Sequence, residues 1–210
     1  MKFWFCNDTN ITLIHQHTDW ANFKWNSDEL IGLLSEARNL QGKLLEKMES
    51  LGFDLRNEAL LSTLTQDVLK SSEIEDELLN PEQVRSSIAR KLGIGIAGSV
   101  ESDRNIDGMV EMMLDATQNH NKSLSAERLF DWYAALLPTG RSGMYKITVA
   151  DWRTDSTGPM QVVSGAMGKE KMHFQAPDSS IVPDEMNQFI SWFNEEKNID
   201  LVLKAAVAHL

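Results

Sequence analysis

Apolar residues return every three or four positions through most of this 210-residue chain, a period that commits it to amphipathic helices. From Asp28 to Ser50, Leu30, Leu34, Ala37, Leu44, Met48 and Leu51 fall on one face, and Gly52 follows as a C-terminal stop. A second helix, from about Glu58 to Lys70, carries Leu61, Leu64 and Val68. Asn80 then offers an N-cap with Pro81 at the first helical position, so the next helix runs through Lys91 and ends at Gly93. Two more are expected over residues 106–118 and 126–137, the latter with Leu124 and Leu129 placed for a hydrophobic staple around Ser125. Pro183 opens another, with Met186, Phe189, Ile190 and Phe193 on one side. Asp200 caps "LVLKAAVAHL", whose apolar face reads as interrupted because no glycine, proline or polar turn closes it.

Two stretches break the helical period. Residues 93–108, "GIGIAGSVESDRNIDG", are rich in glycine and polar side chains and form the best candidate domain boundary. From Tyr145 to Gln175 the pattern alternates by two, with glycine turns. Here "MQVVSG" and "EKMHFQ" flank "AMGK", predicting a β-hairpin with Gly165 and Gly168 in its loop. An isolated hairpin is marginal unless it packs on, or pairs with, something else.

The formal net charge of -11 argues against a phosphate-backbone partner, because little in this chain would replace the counterions around a nucleic acid. A single cysteine, Cys6, excludes an intrachain disulfide and fits a reducing cytoplasm. The opening "MKFWFCNDTN" lacks a signal peptide's apolar run, and no segment approaches the length of a membrane span. A cytoplasmic chain with neither nucleic-acid nor membrane partner is the expectation.

Several patterns resemble chemistry without its context. His15-Gln16-His17 would put two imidazoles on one face of a strand, but no further ligand cluster accompanies them, so no metal site is expected. Gly93-x-Gly95-x-x-Gly98 spells a dinucleotide fingerprint, yet it follows a helix and precedes a polar loop, where the mechanism needs a strand before and a helix N-terminus after. Met109, Met112 and Met113, and Trp20, Trp25, Trp132 and Trp192, lie at core spacings. No nucleophile elbow or Ser-His-Asp order is present, so the residues alone describe a mainly α protein with a hairpin and assign no catalytic residue.

Over "SSEIED", residues 71–76, the chain resembles the (S/T)xxxE(G/N) motif of Fic proteins, the protein adenylyltransferases, with Ser71 first and Glu75 as the glutamate. "TDWANFKW" and "LTQDVLKSSEIEDELLNPEQVRSSIARKLGI" look like the helical region that precedes the Fic core in one bacterial branch. "EMMLDATQNH", "LFDWYAALLPTGRSGMYKITVADWR", "GPMQVVSGAMGKEKMHFQAP" and "LVLKAAVAHL" are similar to successive pieces of that core.

The resemblance implies a Fic-like helical bundle with a β-hairpin flap, preceded by an N-terminal helical region: residues 1–98 as that region with its inhibitory helix, and 99–210 as the front of the core. The family transfers AMP from ATP, with Mg²⁺, to a protein hydroxyl through an HxFx(D/E)GNGRxxR motif that these 210 residues do not contain. The expectation is therefore the front part of such an enzyme, inactive by itself and not holding ATP or Mg²⁺ tightly. By the same resemblance, Glu75 would pair with the motif's last arginine and fill the space of the ATP γ-phosphate, while Ser71 would hold the helix. Asp76 stands where the motif has Gly or Asn, residues that suit a left-handed helix end; Asp also reaches that conformation, less readily. The flap, Gln161, Val162, Val163 and Ser164 against Met172, His173 and Phe174, would lay a protein substrate over the active site by strand addition.

Two readings from different classes stay open. One is an adenylyltransferase fragment with flap and inhibitor. The other is a non-enzymatic helical protein that regulates an intact Fic enzyme or binds another partner. Either leaves room for a homo-oligomer.

Overall fold

A computed structural model describes residues 13–17, 20–96, 98–142, 144–155, 158–166 and 168–209. Cys6, Thr18, Asp19 and Leu210, on which the sequence reading drew, lie outside them. The protein is mainly helical. A 3-10 turn at Ile14–Gln16 precedes helices α1 (Ser27–Ser50), α2 (Phe53–Ile74), α3 (Pro81–Leu92), α4 (Arg104–Gln118) and α5 (Ala126–Leu136). Short strands β1 (Arg141–Ser142) and β2 (Tyr145–Lys146), then β3 (Gln161–Ser164) and β4 (Lys171–Gln175), lead to α6 (Val182–Glu195) and α7 (Leu201–His209). β1 pairs with β2 and β3 with β4, both antiparallel. No helix among the described residues is long and apolar enough to cross a membrane.

The chain divides into two compact units: Gly32–Asp151, and Met1–Ile31 together with Trp152–Leu210. In the first, α2, α3 and α4 enclose a core of Leu61, Leu64 and Val68 from α2, Val84, Ile88 and Ala89 from α3, and Ile106, Val110 and Leu114 from α4. These are the positions at three-and-four spacing, and removing such side chains from water is the main term holding the helices together. The glycine-rich stretch 93–108 lies inside this unit, because the helices on either side of it share the core. Side chains also knit it down. Arg90 donates to the Val100 carbonyl at 3.0 Å and to Ser102, and the Ser86 hydroxyl accepts from the Val100 amide at 3.0 Å. Ser87 and Ser102 both donate to Asp107 Oδ1, at 2.5 and 2.6 Å. Burial raises the Asp107 pKa, but these hydroxyls and the Arg90 charge outweigh it and hold the carboxyl below its usual range.

Helix ends follow local chemistry. Asn80 Oδ1 accepts from the Glu82 and Gln83 amides at 2.9 and 3.1 Å, Asp103 caps α4, and Ser125 caps α5 by accepting from the Arg128 amide. Gly93, at φ 69°, closes α3 in the left-handed conformation. Gly52 behaves differently from the expected stop. Its φ of -64° and ψ of 164° are extended, and it serves as the N-cap position of α2, which begins at Phe53 rather than near Glu58. Arg56 braces that tight restart by donating to the Glu49 carbonyl in the last turn of α1 and to the Leu51 carbonyl just after it.

Two further departures are local. His15 and Gln16 form the 3-10 turn instead of a strand, with Gln16 Oε1 accepting from the Leu13 amide at 3.0 Å. The alternation from Tyr145 yields only the two-residue strand β2 before residues 147–155 turn irregular. Arg153 pairs with Asp155 at 2.5 Å and donates to the Pro177 carbonyl, while Asp155 Oδ2 accepts from the Ser179 amide at 2.7 Å. Side-chain clamps thus take the place of a strand ladder there.

Candidate functional site

The C-terminus of α2 places the first group of candidate residues. Glu75 is the C-cap, at φ -93° and ψ 17°, and Asp76 follows at φ 60° in the left-handed region. The Asp76 amide donates to the Glu73 carbonyl at 3.1 Å and the Glu77 amide to the Ser72 carbonyl at 2.9 Å. This pair of bonds is a Schellman closure, a role usually filled by glycine. Asp76 thus adopts at the helix exit the left-handed conformation that Gly and Asn reach most readily.

Around that exit the acidic side chains differ in environment. Glu73 pairs with Lys70 at 2.5 Å on the exposed surface. The Glu75 carboxylate is exposed and makes no hydrogen bond or ion pair among the described residues. Ser71, one turn before Glu75, is exposed as well. The buried serine is its neighbour Ser72, 2% exposed, whose Oγ has no hydrogen-bond partner among the described residues. Spacing alone could not separate two adjacent serines; which one is buried depends on how α2 packs. A cavity of about 430 Å³ lies in the same unit, lined by Glu77, Leu79, Asn105, Met109, Leu136 and Arg141 among others.

The second group lies in the other unit. β3 and β4 form the hairpin with Gln161 opposite Gln175, Val162 opposite Phe174, Val163 opposite Met172 and Ser164 opposite Lys171. The register slips between Val162 and Val163, which leaves His173 as the extra residue of a bulge. Ser164 Oγ meets His173 Nε2 at 2.6 Å, and Gln161 Nε2 donates to Gln175 Oε1 at 2.8 Å. Phe174 meets the His15 ring edge-to-face, with centroids 5.9 Å apart. All four β3 residues are exposed, Val162 and Val163 at about half their area. A two-stranded sheet has an unpaired outer edge on each strand, which can accept another strand. Gly165, at φ 114°, starts the hairpin loop where a Cβ would sit 2.7 Å from the Lys169 carbonyl oxygen.

Among the described residues, no group of three His, Cys, Asp or Glu side chains could hold a metal ion. The α2 exit offers a free carboxylate for a cation, and the hairpin offers main-chain hydrogen bonds for an extended segment. Residues 13–94, which run from the 3-10 turn through α3, match a domain of unknown function, DUF4172. No curated protein matches the chain.

Proposed function

We propose that this chain is the front part of a Fic-type protein adenylyltransferase, carrying its inhibitory glutamate and its target-docking hairpin. The observation that carries the reading is the Glu75 carboxylate, exposed and unpaired among the described residues, on a helix exit closed by a left-handed Asp76. A carboxylate in that state can take an arginine from a catalytic segment and occupy the site of a nucleotide phosphate. Glu73, held by Lys70, has less to offer such a partner.

AMP transfer places negative charge on the moving phosphoryl group, and fixed cations and amides have to stabilise it. A carboxylate on one of those cations opposes this. The hairpin's part is to fix a substrate backbone by strand addition, which is insensitive to side-chain identity. ATP and Mg²⁺ would be held mainly by the HxFx(D/E)GNGRxxR segment, which these residues do not include.

The test joins the chain to a segment carrying that motif and follows incorporation of labelled AMP. Removing one member of a partly buried ion pair costs several kcal/mol at most, so Glu75→Gly is expected to raise transfer by about one to two orders of magnitude. Glu73→Gly, about 200° around the helix, is expected to change it little. Equal effects of the two substitutions would overturn the inhibitory role.

A further inference from the structure

We infer that α1 is a self-association helix, whose exposed apolar stripe pairs antiparallel with α1 of a second copy of this chain. This inference is independent of the adenylyltransferase reading. α1 runs for 24 residues, about 36 Å, and buries none of them fully. Leu33, Leu40 and Leu44 are 65%, 58% and 61% exposed, and Ala37 between them is exposed too. Their spacing of four, three and four is that of a coiled-coil seam, in which each side chain enters a hole on the facing helix. A seam of this kind left in water forfeits the burial that most stabilises a helix of this length.

Charge selects the occupant and its direction. Glu36 and Lys43, seven residues apart, lie along one flank of the stripe. In an antiparallel pair with Ala37 facing Leu40 of the second copy, Leu33 faces Leu44, and Glu36 of each helix lies beside Lys43 of the other. Two-fold symmetry makes each of these contacts twice. The small Ala37 against the larger Leu40 keeps the layer filled without a clash. A parallel pair would set Glu36 against Gln41 and Lys43 against Met48, with no opposite charges meeting across the seam. The acidic chain repels itself at long range, so local complementarity of this kind is what a homotypic contact requires.

The experiment is sedimentation of the full 210-residue chain over a range of concentration, with cysteine cross-linking to read the direction. A dimer is expected, and Leu40→Glu with Leu44→Glu should weaken it by more than about tenfold while leaving the helical circular dichroism in place. Glu36→Lys should weaken it and the added Lys43→Glu restore it. In a Cys6→Ser background, Leu33→Cys and Leu44→Cys chains should cross-link when mixed and not when oxidised separately. Because that arm keeps the native charges, it remains informative if the glutamate variants fail to fold. A chain that stays monomeric leaves the stripe to some other partner and overturns the inference. So does a dimer unaffected by the stripe substitutions, or efficient cross-linking of either cysteine variant alone.

Discussion

Arg128 donates from Nε to Asp115 Oδ2 at 2.8 Å and from Nη2 to the Asp115 carbonyl at 3.0 Å, binding the start of α5 to the last turn of α4. The same carboxylate accepts from Trp132 Nε1 at 2.8 Å and from Asn119 Nδ2 at 2.7 Å, and the guanidinium lies 4.9 Å from the centre of the Trp132 ring. Arg128 also donates to the Lys122 and Asn119 carbonyls. One arginine thereby satisfies the exposed carbonyl end of α4 and the turn after it.

This pairing predicts a pH dependence of stability. The bonds from Arg128, then those from Trp132 and Asn119, lower the Asp115 pKa from 3.8 to about 2. A carboxyl whose folded pKa is depressed contributes stability above its unfolded pKa, and the contribution is lost as pH falls through the folded value. The loss is expected between pH 3.8 and about 2, and to be no more than about 2 kcal/mol because part of the carboxylate meets solvent. Urea unfolding across that window, wild type against Asp115→Asn, measures it; identical pH profiles would contradict the assignment.

Gly108 permits a close approach of α4 to α5. A Cβ there would lie 1.9 Å from the Ala135 carbonyl oxygen, a backbone atom that moves only if the helix moves. Gly108→Ala is expected to cost about 3 kcal/mol as the helices separate. Gly42→Ala, where nothing lies within 4 Å, should instead stabilise α1 by about 0.5–1 kcal/mol through its better helix propensity. Thermal melts of the two variants should shift in opposite directions.

At the α2 exit, Asp76 holds a left-handed conformation that an L side chain reaches at a cost. Asp76→Gly is expected to raise stability by about 0.5–1 kcal/mol, and Asp76→Val to lower it. If chemical denaturation shows the reverse order, the exit is not closed through this residue.

Ser72 and Ser71 can be separated in the same way. The Ser72 hydroxyl is buried with no partner among the described residues, so Ser72→Ala should be neutral or stabilise by up to about 1 kcal/mol, since it removes a buried polar group. Ser71→Ala, on the exposed side, should stay within about 0.5 kcal/mol of wild type. A marked loss of stability in Ser72→Ala would reveal a hydrogen bond to that hydroxyl.

The 210 residues alone are expected to transfer no AMP, because the motif that would hold base, metal and phosphates is not among them. Incubation with labelled ATP, Mg²⁺ and a cell lysate should leave every protein unlabelled; labelling that requires this chain would place the chemistry within it.

Local chemistry was legible wherever the stabilising groups are neighbours in sequence. Asn80, Pro81 and Gly93 bound α3 because capping bonds and a left-handed glycine act within one turn, and Ser125 does the same for α5. Leu61, Leu64 and Val68 declared a face, and β3 with β4 declared a hairpin by alternation around two glycines. What each face meets depends on residues far along the chain. α1 has as regular an apolar pattern as α2, yet α2 is buried against α3 and α4 while α1 buries no residue fully and keeps Leu33, Leu40, Leu44 and Leu45 exposed. Residues 93–108 carry a linker's composition but are held inside a unit by serine, arginine and aspartate bonds that composition does not reveal. The burial of Ser72 rather than Ser71, the bulge at His173 and the contact that forbids a side chain at Gly108 were likewise settled by tertiary packing. The reason is physical: periodicity records which side chains share a face, while burial and close approach depend on what the rest of the chain brings to it.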